Sequence, residues 1–229
     1  MTARVGVVQF PGTNCELDVC FAVEQLGGTA EILWHGDPST SGVDAVVIPG
    51  GFAHGDYLRT GAIARFSPVM SAVAEFAAAG GPVVGICNGF QVLCEAGLLP
   101  GALQRNAGMK FLCTTVGLRV ETTTTVLTTA TERGQILQIP INHFEGNFVC
   151  DDATLATLRA EERVVVRYLQ NPNGSRDDIA GICNEGRNVV GLMPHPERAS
   201  DLLLGSDDGN ALLRSLLAAC SAGAASLLS

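Results

Sequence analysis

Positive charge is scarce in this sequence: 14 Lys and Arg stand against 23 Asp and Glu, a formal net charge of −9, and the basic residues form no cluster. Binding a phosphate backbone needs such a cluster, so nucleic acid is not an expected partner. Charge of either sign is low, at 16% of residues against 47% hydrophobic ones, which excludes a disordered or fibrous chain and favours buried strands. The eight cysteines (15, 20, 87, 94, 113, 150, 183, 220) contain no C-x-x-C pair, and cysteine and histidine never fall at ligand spacing, so no metal site is expected. No apolar leader precedes Arg4-Val5-Gly6-Val7-Val8, which gives the expectation of reduced thiols in the cytoplasm. The stretch from Phe76 to Cys94 is uncharged, but Gly80-Gly81-Pro82 and Asn88-Gly89 interrupt it; it reads as core and not as a membrane span. A phosphate-cradling motif, an internal repeat and a linker are all missing, so 229 residues are expected to form one domain, with 221–229 as a frayed tail.

What is there is alternation of apolar strands with amphipathic helices, the pattern of an α/β fold. Val5 to Phe10, Ala30 to Trp34 and Val43 to Ile48 read as strands, with a helix from Cys15 to Leu26 between the first two. Asn14 is the expected cap of that helix, with Glu16 and Asp18 in its first turn, and Cys15 and Cys20 look structural. A second helix is expected from about Pro68 to Ala79. Phe111 to Val120 and the threonine-rich Thr122 to Thr128 read as twisted, partly exposed antiparallel strands. Ile136 to Ile141 precedes a polar break, Asn142 to Gly146, and strands follow at Arg163 to Leu169, Ile179 to Asn184 and Val189 to Met193. Leu202 to Ala219 reads as largely helical.

Two stretches carry chemistry. In Pro82-Val83-Val84-Gly85-Ile86-Cys87-Asn88-Gly89-Phe90-Gln91 a buried strand breaks into a helix with a cysteine at the break. Gly85 and Gly89 flank Cys87 at minus two and plus two, as a strand-to-helix elbow requires, since larger residues clash in so tight a turn. A thiol there sees the positive end of the helix macrodipole and unpaired N–H groups, which favour the thiolate. Gln91, at i+4, shares its helix face and can touch whatever Cys87 attacks. The plainer alternative is a small cysteine packed between strand and helix. The second stretch, Pro194-His195-Pro196-Glu197-Arg198, follows a strand directly. In the extended chain that the prolines favour, His195 and Glu197 point to one face, so the carboxylate can orient the imidazole as the third member of a nucleophile–base–orienter set. His35, His54 and His143 are rivals for the base, and Glu145 and Asp56 for the carboxylate. A third stretch, Pro49-Gly50-Gly51-Phe52, ends a strand with glycines whose N–H groups can form an oxyanion hole; an ordinary turn is its bland reading.

Gly85-Ile86-Cys87-Asn88-Gly89-Phe90-Gln91 together with Pro194-His195-Pro196-Glu197 resembles the class I glutamine amidotransferases. Phe10-Pro11-Gly12-Thr13-Asn14-Cys15-Glu16, Pro49 to Phe52, Gly55-Asp56-Tyr57-Leu58-Arg59 and Met193 to Arg198 are similar to the branch of that family that forms the glutaminase subunits of phosphoribosylformylglycinamidine synthase. The resemblance spans nearly the whole chain. It implies a flavodoxin-like open, mostly parallel sheet with helices on both faces and a small antiparallel extension. It implies Cys87 as nucleophile, His195 as base and Glu197 as its orienter, and Gly50, Gly51, Asn88 and Gln91 at the substrate, with the backbone N–H groups of Gly51 and Asn88 as oxyanion donors. It further implies ammonia delivery from glutamine to a synthetase subunit in purine biosynthesis, with a small accessory subunit. No cofactor is then expected on this chain; ATP and Mg belong to the synthetase. The sequence departs from the family at Ala53-His54, where Ser-Tyr is expected, and at Asn142 to Gly146, where Ala-His-Gly-Glu-Gly is. Two other readings of the residues stand beside this one: a cysteine hydrolase of the same fold acting on peptides or small aldehydes, and a non-catalytic α/β regulatory module.

Overall fold

A computed structural model describes residues 2–226, with side chains through residue 221. Eleven strands and five α-helices are found among these residues. Strands β1 (Arg4–Gln9), β2 (Thr29–Trp34), β3 (Ala45–Ile48), β4 (Val83–Ile86), β6 (Leu112–Val120), β7 (Ile136–His143), β9 (Val164–Tyr168), β10 (Ile179–Cys183) and β11 (Val189–Leu192) form one nine-stranded sheet in the order β2-β1-β3-β4-β11-β10-β9-β6-β7. The pairings from β2 through β11 are parallel and those from β11 to β7 antiparallel. The sheet is therefore flavodoxin-like in its parallel half, as expected, with an antiparallel extension. β5 (Ala102–Gln104) and β8 (Asn147–Val149) form a separate antiparallel pair.

The central parallel strands are short and apolar because both their faces are covered: every residue of β3, β4 and β11 is buried. Helices α1 (Glu16–Gln25), α2 (Pro68–Ala78), α3 (Asn88–Glu95), α4 (Asp152–Ala160) and α5 (Gly209–Ser226) supply that cover. No helix among the described residues is long and apolar enough to cross a membrane, and the uncharged stretch around Val83 is core strand and helix.

Several expectations need correction. Asn14 does not cap α1: Cys15 holds the cap position without a side-chain hydrogen bond, and the N–H groups of both residues donate to Gly50 O at 3.2 and 3.1 Å. Thr122 to Thr128 is no strand. Its hydroxyls bond locally, Thr125 Oγ1 to Thr128 Oγ1 at 2.8 Å and Leu127 N to Thr125 Oγ1 at 3.2 Å, which offers the backbone an alternative to a ladder. The polar break starts later than read, since Asn142 and His143 complete β7. The helix expected from Leu202 is interrupted: a short 3₁₀ turn, Leu202–Leu204, ends at Gly205 with φ +100°, and α5 begins only at Gly209. The helix runs past Ser221 to Ser226, and residues 227–229 lie outside the described residues.

A candidate active site at the strand ends

Cys87 sits where β4 passes into α3, with φ 52° and ψ −105°, a conformation sparsely populated by residues other than glycine. The surrounding structure enforces it. A β-carbon at Gly89 would lie 1.8 Å from Ile48 O, and one at Gly85 2.6 Å from the Gly89 backbone; the lack of a side chain at the two glycines that flank Cys87 lets helix and sheet approach this closely. Cys87 N donates to Leu192 O at 2.8 Å, which ties the elbow to β11. Phe90 N and Gln91 N turn back to Cys87 O, leaving the N–H groups of Asn88 and Gly89 at the open end of the helix.

His195 comes from the other side of the same strand pair. It follows β11 at φ −104° and ψ 86°, and its N–H donates to Pro140 O at 2.9 Å. Glu197 does not continue in extended chain, as expected, because Pro196 opens a 3₁₀ turn over Pro196–Arg198. The carboxylate reaches the imidazole all the same: Glu197 Oε1 lies 2.6 Å from His195 Nδ1, and both residues are 1% exposed. This bond occupies Nδ1 and leaves Nε2 buried and without a hydrogen-bond partner, while the Cys87 thiol donates to Asn142 O at 3.7 Å. Burial opposes charge on His195, but Glu197 and the neighbouring thiols of Cys87 and Cys15 outweigh it and hold the imidazole well above its ordinary pKa.

These groups open on a cavity of about 370 Å³, within the size range of small-molecule sites. The cavity is also lined by Gly51, Asp56, Gln91, His143, Glu145 and Arg198. Gly51 takes φ +148° because the loop after β1 crosses it: a β-carbon there would lie 2.6 Å from Asn14 N. The neighbouring Phe52 N donates to Gly12 O, whereas Gly51 N–H has no partner among the described residues. Gly50 brings its backbone so close that a β-carbon would lie 2.7 Å from His195 Cε1.

The side chains of Asn88 and Gln91 also hold the wall of the cavity together. Asn88 is a brace: its Oδ1 accepts from Ala53 N at 3.0 Å, and its Nδ2 donates to Asp56 Oδ1 at 3.1 Å and Gln91 Oε1 at 2.8 Å. Gln91 lines the cavity, but its Nε2 donates to Glu145 O at 2.5 Å, so both ends of the amide are engaged. The effect is to tie α3 to the loops carrying Asp56 and Glu145. Burial pushes the Asp56 carboxyl up to about 6, against the hydrogen bonds from Asn88 and Gly61 that lower it.

Among the rivals, His143 lines the cavity, with Nδ1 3.1 Å from Asn106 Oδ1 and Nε2 unpartnered; burial first, then the charge of His195, pushes it down to about 4. His54 and His35 lie apart, sharing the hydroxyl of Ser67 at 3.2 Å each. Glu145 and Asp56 line the cavity without touching His195. Phe144 lines it too, with the Arg105 guanidinium 5.9 Å over its ring.

Cys15 departs from the structural role expected of it. It is not a packing cysteine but part of the site: its sulfur lies 3.2 Å from Arg198 Nη2, and Arg198 Nε donates to Asp18 at 3.1 Å. Its place just after β1, at the carboxyl edge of a parallel sheet where open α/β folds bind ligands, is the sequence signal that points to it. Cys15, His195 and Glu197 also present ligand-type atoms within 4.8 Å of one another, but the Arg198 guanidinium against the sulfur disfavours a cation there.

Comparison with known proteins agrees with this geometry. Residues 2–208 match the family described as CobB/CobQ-like glutamine amidotransferase domain. Over 94% of its length the chain is 61% identical to "Phosphoribosylformylglycinamidine synthase subunit PurQ" of Rubrobacter xylanophilus and 54% identical to the same-named protein of Koribacter versatilis, covering 98% of each. It superposes on a chain of "Structure of PurLQS from Thermotoga maritima" with a TM-score of 0.88 at 42% identity, covering 95% of this chain and 99% of that one. The chain therefore belongs to the glutamine amidotransferases, in the family of phosphoribosylformylglycinamidine synthase PurQ subunits.

Proposed function

We propose that this chain, working as one domain in the cytoplasm, is the glutaminase subunit of a phosphoribosylformylglycinamidine synthase, and that Cys87, His195 and Glu197 release ammonia from glutamine for a PurL-type synthetase partner and a small PurS-type subunit. The observation that carries the catalytic assignment is the strained Cys87 elbow in one cavity with a buried imidazole bonded to a carboxylate at 2.6 Å.

In this reading His195 Nε2 takes the Cys87 proton, and the thiolate attacks the side-chain carboxamide carbon of glutamine. The carbonyl oxygen gains the charge and is met by the N–H groups of Gly51 and Asn88, both without competing acceptors. The imidazolium, stabilised by Glu197, gives its proton to the nitrogen as the C–N bond breaks, and ammonia leaves. A γ-glutamyl thioester remains. Water, deprotonated by the same imidazole, attacks it and frees glutamate and the thiol. ATP chemistry, and any Mg it uses, belongs to the synthetase, which converts formylglycinamide ribonucleotide to the amidine.

The decisive experiment uses the reconstituted complex carrying Cys87→Ser. Amidine synthesis from glutamine should be lost, while synthesis from high ammonium should continue at the wild-type rate, since serine supplies no thiolate at neutral pH and the partner's site is untouched. Loss of both in an assembled complex would overturn the reading.

A further inference from the structure

The ammonia-releasing reaction gives Cys15 no task, yet the residue is placed in unusual company. It is buried, but unlike the buried thiols Cys87, Cys183 and Cys220 it is not part of the contiguous apolar cluster. Its sulfur faces ionic groups: Arg198 Nη2 at 3.2 Å, and ligand-type atoms of His195 and Glu197 within 4.8 Å. It also shares a wall with the nucleophile. The point where a β-carbon of Gly50 would sit is 3.1 Å from Cys15 Sγ, 3.4 Å from Cys87 Cβ and 2.7 Å from His195 Cε1. The unpartnered, buried Nε2 of His195 belongs to the same group. Cys15 is a cap residue at φ −107° and ψ 12°, so its side chain is not locked against a preceding helical turn.

We propose that Cys15 is the resolving thiol for Cys87: under peroxide the two close a disulfide that switches the glutaminase off reversibly and protects the nucleophile from further oxidation. In the first step Cys87 sulfur attacks one oxygen of hydrogen peroxide. The S–O bond forms, the O–O bond breaks, and the second oxygen leaves as hydroxide, so the sulfur has given up two electrons to peroxide. In the second step the hydroxide from the first takes the Cys15 proton and becomes water, and the Cys15 sulfur, beside the Arg198 cation, attacks the sulfenic sulfur. The S–S bond forms, the S–O bond breaks, and hydroxide leaves with a proton from the His195 imidazolium. The sum is two thiols and one peroxide giving one disulfide and two waters. Closing it turns Cys15 Sγ away from Arg198 toward Cys87, across the edge of His195.

The inference rests on Cys87 being the nucleophile, and its first readout does not depend on turnover. The wild-type complex is treated with hydrogen peroxide, its remaining thiols are blocked by alkylation, and its peptides are mapped without reduction. A peptide linking Cys15 to Cys87 is expected. Glutamine-dependent synthesis should fall with formation of that link and return almost fully with dithiothreitol. In Cys15→Ser, activity after peroxide and dithiothreitol should recover to less than about a tenth of that variant's own untreated value, because unresolved sulfenic acid proceeds to the irreversible sulfinic form. Cys15→Ala serves as the second variant, and the wild-type peptide map stands if neither folds. An inactivated wild type without the linked peptide, or a Cys15 variant that recovers as fully as wild type, overturns the proposal. An untreated complex without glutamine-dependent synthesis would instead sink the catalytic reading, while the peptide map still decides whether the two thiols pair.

Discussion

His143 and His195 line one cavity and are almost equally buried, 3% and 1% exposed, but they hold opposite states. His195 has a carboxylate at Nδ1 and is held well above its ordinary pKa; His143 has a neutral amide there, from Asn106, and is pushed down to about 4. Burial works against the imidazolium in both, so the partner decides the outcome. The charge on His195 itself helps keep His143 neutral. One site thus holds a histidine able to carry a proton through a reaction and a second that is kept from competing for it.

The largest effect is expected from making His195 resemble His143. Glu197→Gln leaves an amide at Nδ1, which can neither fix the tautomer nor stabilise the imidazolium. The glutamine-dependent kcat of the complex should drop by about 10³-fold to 10⁴-fold with KM for glutamine changed only a few-fold. A near-native kcat would remove Glu197 from the assignment.

The comparison also sets signs for stability against pH. The folded pKa of His143 lies below the unfolded value of about 6.5, so its neutral burial costs nothing above that pH. As pH falls from about 6.5 toward 4 the unfolded chain takes up a proton that the folded one refuses, and stability declines by up to about 3 kcal/mol. His195 acts in the other direction: its folded pKa is raised, so its contribution is present below about 6.5 and is lost as pH rises through the folded value. Urea unfolding of wild type and His143→Gln at pH 7 and pH 4.5 checks the first statement, with the variant losing less on acidification.

Asn106→Asp makes His143 resemble His195. It forfeits the amide's hydrogen bonds to Lys110 O and His143 O at 2.8 and 3.0 Å, which should cost about 1–3 kcal/mol at neutral pH. The imidazole should nevertheless titrate well above 4 when followed by nuclear magnetic resonance. A His143 that stays near 4 beside the new carboxylate would mean that burial and not the partner sets its state.

The smallest effect is expected at Asp56, which touches neither histidine. Its carboxyl, pushed up to about 6, braces Asn88 beneath the proposed oxyanion site. The profile of kcat/KM against pH should show an inflection of a few-fold near 6 that Asp56→Asn abolishes.

Cys87, His195 and Glu197 were readable because each sits in a local pattern whose geometry is nearly forced: glycines at minus two and plus two that only an elbow explains, and prolines around a histidine with a carboxylate two residues on. The central parallel strands β3, β4 and β11 were equally legible, since strands buried on both faces leave continuous apolar runs. What could not be read depends on packing between distant segments. Cys15 looks like a core thiol until Arg198 arrives beside it, and Asn106 enters the site only when β7 lies against its loop. Thr122 to Thr128 has strand propensity, but its hydroxyls satisfy the backbone locally. At Asn88 and Gln91 the sequence does not show that the two side-chain amides bond to each other, since their bracing depends on Ala53, Asp56 and Glu145 arriving from other segments.

The pairing of β4 with β11, which joins Val83 to Val189 and Ile86 to Leu192, also orders events in time. Cys87 leaves the ribosome long before His195, so during synthesis the thiol has neither its base nor the partner strand that completes the middle of the sheet. Until β11 inserts, β4 presents an apolar edge with unpaired amides, the kind of edge that recruits other chains. Such non-local parallel pairing is slow to form. His195 accordingly joins Cys87 in the same late step that covers the open edge of β4, and a partly made chain is a hazard through stickiness and not through untimely glutamine hydrolysis.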